Sequence, residues 1–475
     1  KDGNNMYAQL HNGGFVNTWD NVLGGKVSLD FTPIEDLTFS AVVAPEFKFF
    51  KQKSFLKRVE YTNWDDPATS VGVTDWGRST RMDETRIDFN NITTQFIGNY
   101  SKDFGKHSFN TMAGYESYYF FREIVNANSD NLVLDSYPYL DLANTNYLFA
   151  TGSAYENAYE SFFGRIIYNY NRKYLLQANV RVDGSSRFHE DYRWGTFPSF
   201  SAGWVISEES FMKDFDPVSF LKLRGSYGVL GNERIGNYPY QATINFATAV
   251  FYRGANIVAD QTAAQWAYAI PDISWETTEI LNIGFDANFL RDRLEMSFDV
   301  YNKNTRDMLL ALEIPDFMGY DNPEQNTGEM YTKGWEFAVS WRDQIGDFRY
   351  SVSANLSDFR SIMGDLGGIQ FLGDKVKMEG SEFDEWYGYR ASGIFQNQDE
   401  VSGSAVMFSG VAPGDIRLID ISGPDGEPDE RISADYDRVL LGGSLPRYLY
   451  GANINLGYRR SEERRVGKEC RSRWS

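Results

Sequence analysis

The stretch from Asp420 to Asp437 comes nearest to a metal chemistry in this chain. It reads Asp420-Ile421-Ser422-Gly423-Pro424-Asp425-Gly426-Glu427-Pro428-Asp429, followed by Asp435 and Asp437. A hard cation takes about six to eight oxygens in flexible geometry, and closely spaced carboxylates supply them. Asp420, Asp425, Asp429 and Asp435 are therefore candidate Ca2+ ligands, set against the competing reading of a solvated acidic turn. The second candidate is Glu385-Trp386-Tyr387-Gly388-Tyr389. Aromatic platforms bind sugar faces, so Trp386, Tyr387 and Tyr389 are candidate substrate contacts, with loop packing as the alternative.

Catalytic chemistry finds no foothold. The three histidines, His11, His107 and His189, lie in separate segments. The sequence contains no G-x-S-x-G elbow, no H-E-x-x-H and no G-x-x-x-x-G-K-[ST] phosphate loop. The expectation is a protein that is not an enzyme. The formal charge of −20 argues against a nucleic-acid partner, because phosphate binding needs a basic surface. A single cysteine, Cys470, excludes an intramolecular disulfide and a thiolate metal cluster.

The elements that must position these residues are strands. In Ile280–Phe289, Leu281, Ile283, Phe285, Ala287 and Phe289 fall on one face and Asn282, Gly284, Asp286 and Asn288 on the other. After Leu290–Arg293 the pattern returns in Leu294–Tyr301, with Leu294, Met296, Phe298 and Val300 opposing Glu295, Ser297, Asp299 and Tyr301. A period of two is a strand with one apolar and one wet face. The same hairpin is predicted for Lys26–Phe31 with Leu37–Val43, Ile92–Tyr100 with Phe109–Tyr115, Phe162–Tyr170 with Tyr174–Val182, and Trp335–Trp341 with Phe348–Leu356. Ser199–Ile206, Leu221–Tyr227 and Arg447–Arg459 are further strands. Long polar stretches separate them, at about Ala44–Asn91, Glu116–Glu160, Gly228–Thr278, Asn302–Lys333 and Asp358–Pro446.

Mean hydropathy is −0.46 and no apolar run approaches the length of a membrane-crossing helix. Barrel strands, however, alternate and average out as polar. Short turns on one side and long excursions on the other match a membrane β-barrel, and a compact soluble domain rarely tolerates such connections. The apolar faces are expected to meet outer-membrane lipid. Asn179, Arg181, Asn282, Asp286, Asn453 and Asn455 are expected to line an aqueous lumen. Tyr168, Tyr170, Tyr448, Tyr450 and Tyr458 fit an interfacial girdle. The rival readings are a passive porin or surface-binding barrel, and a soluble secreted β-rich carbohydrate-binding protein.

Several blocks carry a family resemblance. Tyr159-Glu160-Ser161-Phe162-Phe163-Gly164-Arg165 leads to Arg181-Val182-Asp183-Gly184-Ser185-Ser186-Arg187-Phe188, then Arg193-Trp194-Gly195-Thr196-Phe197-Pro198-Ser199. Leu221-Lys222-Leu223-Arg224-Gly225-Ser226-Tyr227-Gly228 and Gly231-Asn232-Glu233-Arg234-Ile235-Gly236-Asn237-Tyr238 follow. Asn326-Thr327-Gly328-Glu329-Met330-Tyr331-Thr332-Lys333-Gly334-Trp335, Tyr387-Gly388-Tyr389-Arg390-Ala391-Ser392-Gly393-Ile394-Phe395-Gln396 and Ala412-Pro413-Gly414-Asp415-Ile416 complete the series. From about residue 26 to 459 the chain resembles the barrel of SusC/RagA-type TonB-dependent outer-membrane transporters of Bacteroidota.

The resemblance implies an all-β, antiparallel transmembrane barrel of about 22 strands closed by a plug. It implies import of glycans or peptides, driven by TonB and assisted by a SusD-like lipoprotein. Plug, TonB-contacting segment and the first and last strands are expected to lie outside this chain, making residues 1–460 a partial barrel. Family members carry an Asp-x-Asn-Gly-Asp-Gly run near Asp420. Here Ser422 replaces the Asn and Pro424 shifts the register, which puts the ligand set in doubt. Residues 461–475 break the alternation, carry five Arg/Lys against three Glu, and resemble vector or adapter sequence.

Overall fold

Backbone hydrogen bonding joins the alternating segments into one antiparallel, 15-stranded sheet. The computed structural model describes residues 6–458 and 461–465, apart from 63–64, 74–78, 133, 135, 143–145, 147, 255, 312–313, 315 and 368–370. In chain order the sheet strands are β1 (Gly14–Gly24), β2 (Val27–Ile34), β3 (Leu37–Leu56), β4 (Arg81–Phe104) and β5 (His107–Asp130). They continue as β6 (Leu148–Tyr170), β7 (Tyr174–Ser185), β8 (Trp194–Val205), β9 (Val218–Asn232) and β10 (Glu276–Phe289). The last are β11 (Leu294–Arg306), β12 (Met330–Ile345), β13 (Phe348–Met363), β14 (Tyr448–Tyr458) and β15 (Ser461–Arg465). Both β1 and β2 pair with β3 and together form one edge. From β3 onward each strand pairs with the next in sequence, as in an up-and-down barrel wall.

The register carries apolar side chains across the sheet in unbroken rows. One row runs Tyr174, Trp204, Leu223, Phe285, Phe298, Phe337, Leu356, Tyr450. These rows do not meet each other inside a globule. Ile283 is 56% exposed, Phe200 55% and Leu176 51%. A contiguous apolar face of this extent marks a surface made for a non-aqueous neighbour. No described helix is long and apolar enough to cross a membrane.

The strands differ from the sequence expectation in length. Residues 44–56, 81–91, 116–130 and 148–160, read as loop, belong to strands, so β4 and β5 have 24 residues each and β6 has 23. A tilted strand crosses hydrocarbon in about 9–11 residues, so these strands project well beyond it. On the outward face of β6, Tyr170, Tyr168, Ile166 and Phe162 give way to Glu160 and Glu156. On β4 and β5, Asp88, Arg86 and Glu123 take over at the same height. Above the belt water faces both sides, so the ladder continues while the apolar alternation stops. That loss of pattern explains why the projecting halves read as loop.

The long connections lie at one end, and the hydrophobic core sits among them. Phe55, Met82 and Leu132 form one buried cluster, Phe188, Ile235 and Ile273 a second, and Met308, Met363 and Leu366 a third. The tight turns lie at the other end. Leu290, Arg291 and Asp292 all adopt positive φ between β10 and β11. Tyr168, Tyr170 and Tyr458 are near this end, and Tyr448 and Tyr450 lie toward the loops. Between β8 and β9, Glu209 accepts hydrogen bonds from Lys173 Nζ (2.9 Å), the Tyr174 hydroxyl (2.8 Å) and the Trp204 indole (3.2 Å). The Lys173 bond leads these donors in holding the Glu209 carboxyl down at about 2, against an ordinary 4.5.

Residues 461–465 form β15 against β14, and 466–475, including Cys470, lie outside the described residues.

Two outcomes follow from this architecture. Ile283→Arg is expected to cost about 2–4 kcal/mol in bilayer-reconstituted unfolding, and Ser297→Arg on the opposite face less than about 1 kcal/mol. Because the folded-state pKa of Glu209 is depressed, its contribution is complete above pH 4.5 and disappears as pH falls from 4.5 toward 2. Heat-modifiable gel mobility across this window should therefore weaken with acid in the native protein, and Glu209→Gln should flatten that dependence.

Candidate functional site

The wet face of the sheet is a wall of cross-strand polar clusters. Strand alternation sends Gln177, Asn179, Arg181 and Asp183 of β7 to the face opposite Leu176 and Val180. Asn179 Nδ2 donates to Ser199 Oγ (3.0 Å), and Gln177 Nε2 donates to Asn179 Oδ1 (3.2 Å). Arg181 spans three neighbours, donating to Asp183 (2.7 Å), Glu116 (2.8 Å) and Ser161 Oγ (2.7 Å). The two carboxylates come from β7 and β5, and the fully buried Ser161 lies between them on β6.

A second arginine repeats the arrangement. Arg224 of β9 donates to Asp286 of β10 (3.1 and 3.2 Å) and to Asp299 of β11 (2.5 and 2.6 Å). It crosses over Gly284, where an added Cβ would stand 2.6 Å from Asp299 Oδ1, so only glycine leaves room for that carboxylate. Fork-shaped donors and carboxylates match in geometry, which makes this pairing strong and directional. Asn282 neighbours Ser226 in the register. Asn455 Nδ2 donates to Ser351 Oγ (3.2 Å). Asp286 and Asn453 line one hollow of 540 Å³ with Asn288, Ser297, Ser340 and Asn355. All six sequence-predicted wall residues thus lie on the face opposite the apolar rows.

The loop candidates are arranged otherwise. Trp386, Tyr387 and Tyr389 belong to the short loop strand Glu385–Tyr389, which pairs with Lys375–Lys377 and Arg438–Gly442. A cation lies over two of the rings, and Trp386 stays 47% exposed. Lys375 Nζ sits 4.9 Å over Trp386, and the Arg438 guanidinium sits 4.4 Å over Tyr387. The buried Glu385 carboxylate ties the turn by accepting from the backbone N–H of Glu382 (2.7 Å) and Gly442 (3.2 Å).

The acidic loop is organised by a carboxylate outside the named ligand set. Asp437, fully buried, accepts from the backbone N–H of Ile421 (2.7 Å), Ser422 (3.3 Å) and Ser433 (2.7 Å). Burial alone would raise its pKa. The backbone donors outweigh burial and hold it below the ordinary carboxylate range. Asp420 caps Glu430 N–H (2.6 Å) and Asp429 caps Arg431 N–H (3.0 Å). Asp420, Asp425, Asp429 and Asp435 do not converge, and the described residues hold no group of three or more His, Cys, Asp or Glu placed for a metal ion. Backbone capping engages one oxygen each of Asp420 and Asp429, while Asp420 Oδ1 is buried with no hydrogen-bond partner among the described residues.

Several signature residues fasten the long loops, a role that their sequence blocks do not disclose. Arg187 donates to the carbonyl of Ile235 (2.8 Å), and Trp275 Nε1 donates to that of Arg193 (2.9 Å). Asn326 Nδ2 donates to the carbonyls of Ser274 (2.9 Å) and Asp307 (3.0 Å), while its Oδ1 accepts from Ser274 N–H (2.7 Å).

Comparison with known proteins agrees with this geometry. The family described as "TonB dependent receptor-like, beta-barrel" matches residues 3–418. The chain belongs to that family of outer-membrane barrels. It is 33% identical over 456 residues to TonB-dependent receptor P39 of Formosa agariphila, covering 88% of this chain and 43% of that protein. TonB-dependent receptor SusC of Bacteroides thetaiotaomicron is 31% identical over 312 residues, 62% of this chain and 30% of that protein. The chain therefore spans less than half the length of these curated relatives. Among solved structures, the RagAB peptide transporter superposes with a TM-score of 0.77 at 22% identity, over 95% of this chain and 47% of that one. That likeness concerns the fold.

The Arg224 cluster gives a measurable consequence. Arg224→Ala leaves Asp286 and Asp299 facing each other, and is expected to cost roughly 1–3 kcal/mol, below the value for a fully buried pair because the arginine is partly hydrated. Asp286→Asn retains the Asp299 fork and should cost less. The midpoint of urea unfolding in micelles measures both.

Proposed function

We propose that this chain forms part of the wall of an outer-membrane importer in a Gram-negative, Bacteroidota-like bacterium. The wall takes up oligosaccharides or peptides that are too large for porins. TonB energises uptake through a segment outside this chain, and a SusD-like lipoprotein serves as partner at the loop end. The observation that carries this reading is the division of one sheet into an outward apolar face and an inward face of charged and amide side chains. The likeness to SusC and to RagAB supports the choice of cargo class.

Uptake of labelled oligosaccharide and peptide pools by whole cells tests the proposal. Expected are saturable uptake that is lost on deletion of the gene and on collapse of the proton gradient, and co-purification with a lipid-anchored protein. Uptake that requires the gene but ignores the proton gradient would indicate a passive porin instead.

A further inference from the structure

On the inner face, Arg181 and Arg224 are saturated with carboxylates, and Arg122 is not. Arg181 and Arg224 each hold two acidic partners. Arg122 of β5 has no ion pair or hydrogen bond among the described residues. Its guanidinium instead lies 5.3 Å from the ring centre of Phe89 on β4 and 5.6 Å from that of Tyr155 on β6. Phe89, Arg122 and Tyr155 occupy one row of the register. In a chain of net charge −20, a wall arginine left to aromatic faces is a cation held in reserve.

The rings around it continue as a strip. Phe120 lies 6.1 Å from Phe89 and 5.8 Å from Tyr155, centre to centre, and two residues lower Tyr118 stacks on Tyr159 at 4.9 Å and 21°. Every one of these side chains is on the inner face and only half-buried. The outward neighbours of the Phe89–Arg122–Tyr155 row are Asp88, Glu123 and Glu156 beside Phe121, and Ile92 and Tyr119 flank the lower rings, so the strip lies at the upper margin of the hydrocarbon belt, toward the long loops.

We propose that this strip is a binding subsite for an acidic oligosaccharide, resting on the reading of the chain as an importer of oligomers. The rings receive the C–H faces of successive sugars, and Arg122 pairs with a carboxylate or sulfate on one of them. A guanidinium fork matches such oxyanions in two parallel hydrogen bonds, and keeps its stacking on the rings while doing so. A peptide is the poorer match. Peptides bound to sheets gain affinity through main-chain hydrogen bonds at an exposed edge. Here β4, β5 and β6 are interior strands whose backbone groups already pair with each other. The strip offers ring faces, the Arg122 cation and, 5.7 Å over Phe89, the Lys48 ammonium already paired with Asp20, and no backbone edge.

Binding to the full-length protein in detergent micelles tests the assignment. The probes are tetragalacturonate, neutral galactotetraose and tetraglutamate, measured by titration calorimetry at low and high salt. Expected is salt-sensitive binding of tetragalacturonate that weakens about tenfold or more in Arg122→Ala and is partly kept in Arg122→Lys. Galactotetraose binding should be indifferent to Arg122 and should weaken in Tyr155→Leu. Heat-modifiable mobility identifies folded variants, and Arg122→Lys serves if Arg122→Ala does not fold. Tetragalacturonate that fails to bind, or binds every variant equally, overturns the subsite. Arg122-dependent binding confined to tetraglutamate overturns it in favour of a peptide. Arg122-dependent sugar binding in a protein whose cells show no uptake would defeat the importer reading and leave the subsite standing.

Discussion

The constraint on which the rest of the structure depends is that a backbone amide in hydrocarbon has no water to bond. Each unpaired group there costs several kcal/mol, so a chain that crosses as strands must pair every strand with its neighbours. The sequential antiparallel ladder from β3 to β15 meets that demand, and its register aligns side chains of like polarity across strands far apart in sequence. Phe285, Phe298 and Phe337 lie in one row because their backbones are hydrogen-bonded neighbours. The belt of apolar residues is thus a product of the ladder, and the wet inner wall is its necessary other face.

Above the belt the demand changes. Water satisfies exposed backbone groups and no longer penalises a polar outward residue, yet β4, β5 and β6 continue as paired strands. The small hydrophobic core is also found at this end, packed from loop residues such as Phe188 and Ile273 and from Met363 at the end of β13. Arg187, Trp275 and Asn326 bond loop to loop at its margin. The mouth of the wall therefore has its own packing, independent of lipid. This places side chains of the inner face among the long connections.

Charge on the inner face is distributed with the same economy. Arg181 and Arg224 are locked between carboxylates of adjoining strands and act as cross-links within the wall. The aromatic rings beside Arg122 stabilise a cation without neutralising it, leaving its charge on the wet face. The acidic loop from Asp420 to Asp437 shows the converse arrangement. There the carboxylates of Asp420, Asp429 and Asp437 turn inward to cap the chain's own N–H groups.

The sequence by itself determined the strands inside the belt, the tight turns and the family. There the side chain must alternate between lipid and water, and alternation is a local property that a window of ten residues displays. Asn282 and Asp286 could be assigned to the wet face for that reason. Only the tertiary structure decided the projecting halves of β4, β5 and β6, because both faces are hydrated there and the pattern vanishes. It alone decided that Lys375 lies over the ring of Trp386 and Arg438 over that of Tyr387. It also decided the neighbours of each arginine. Arg224 and Asp299 are 75 residues apart, and Phe89, Arg122 and Tyr155 come from three strands. Such contacts are fixed by inter-strand register, which depends on loop lengths and on pairing along the whole ladder, and no local spacing of residues encodes it.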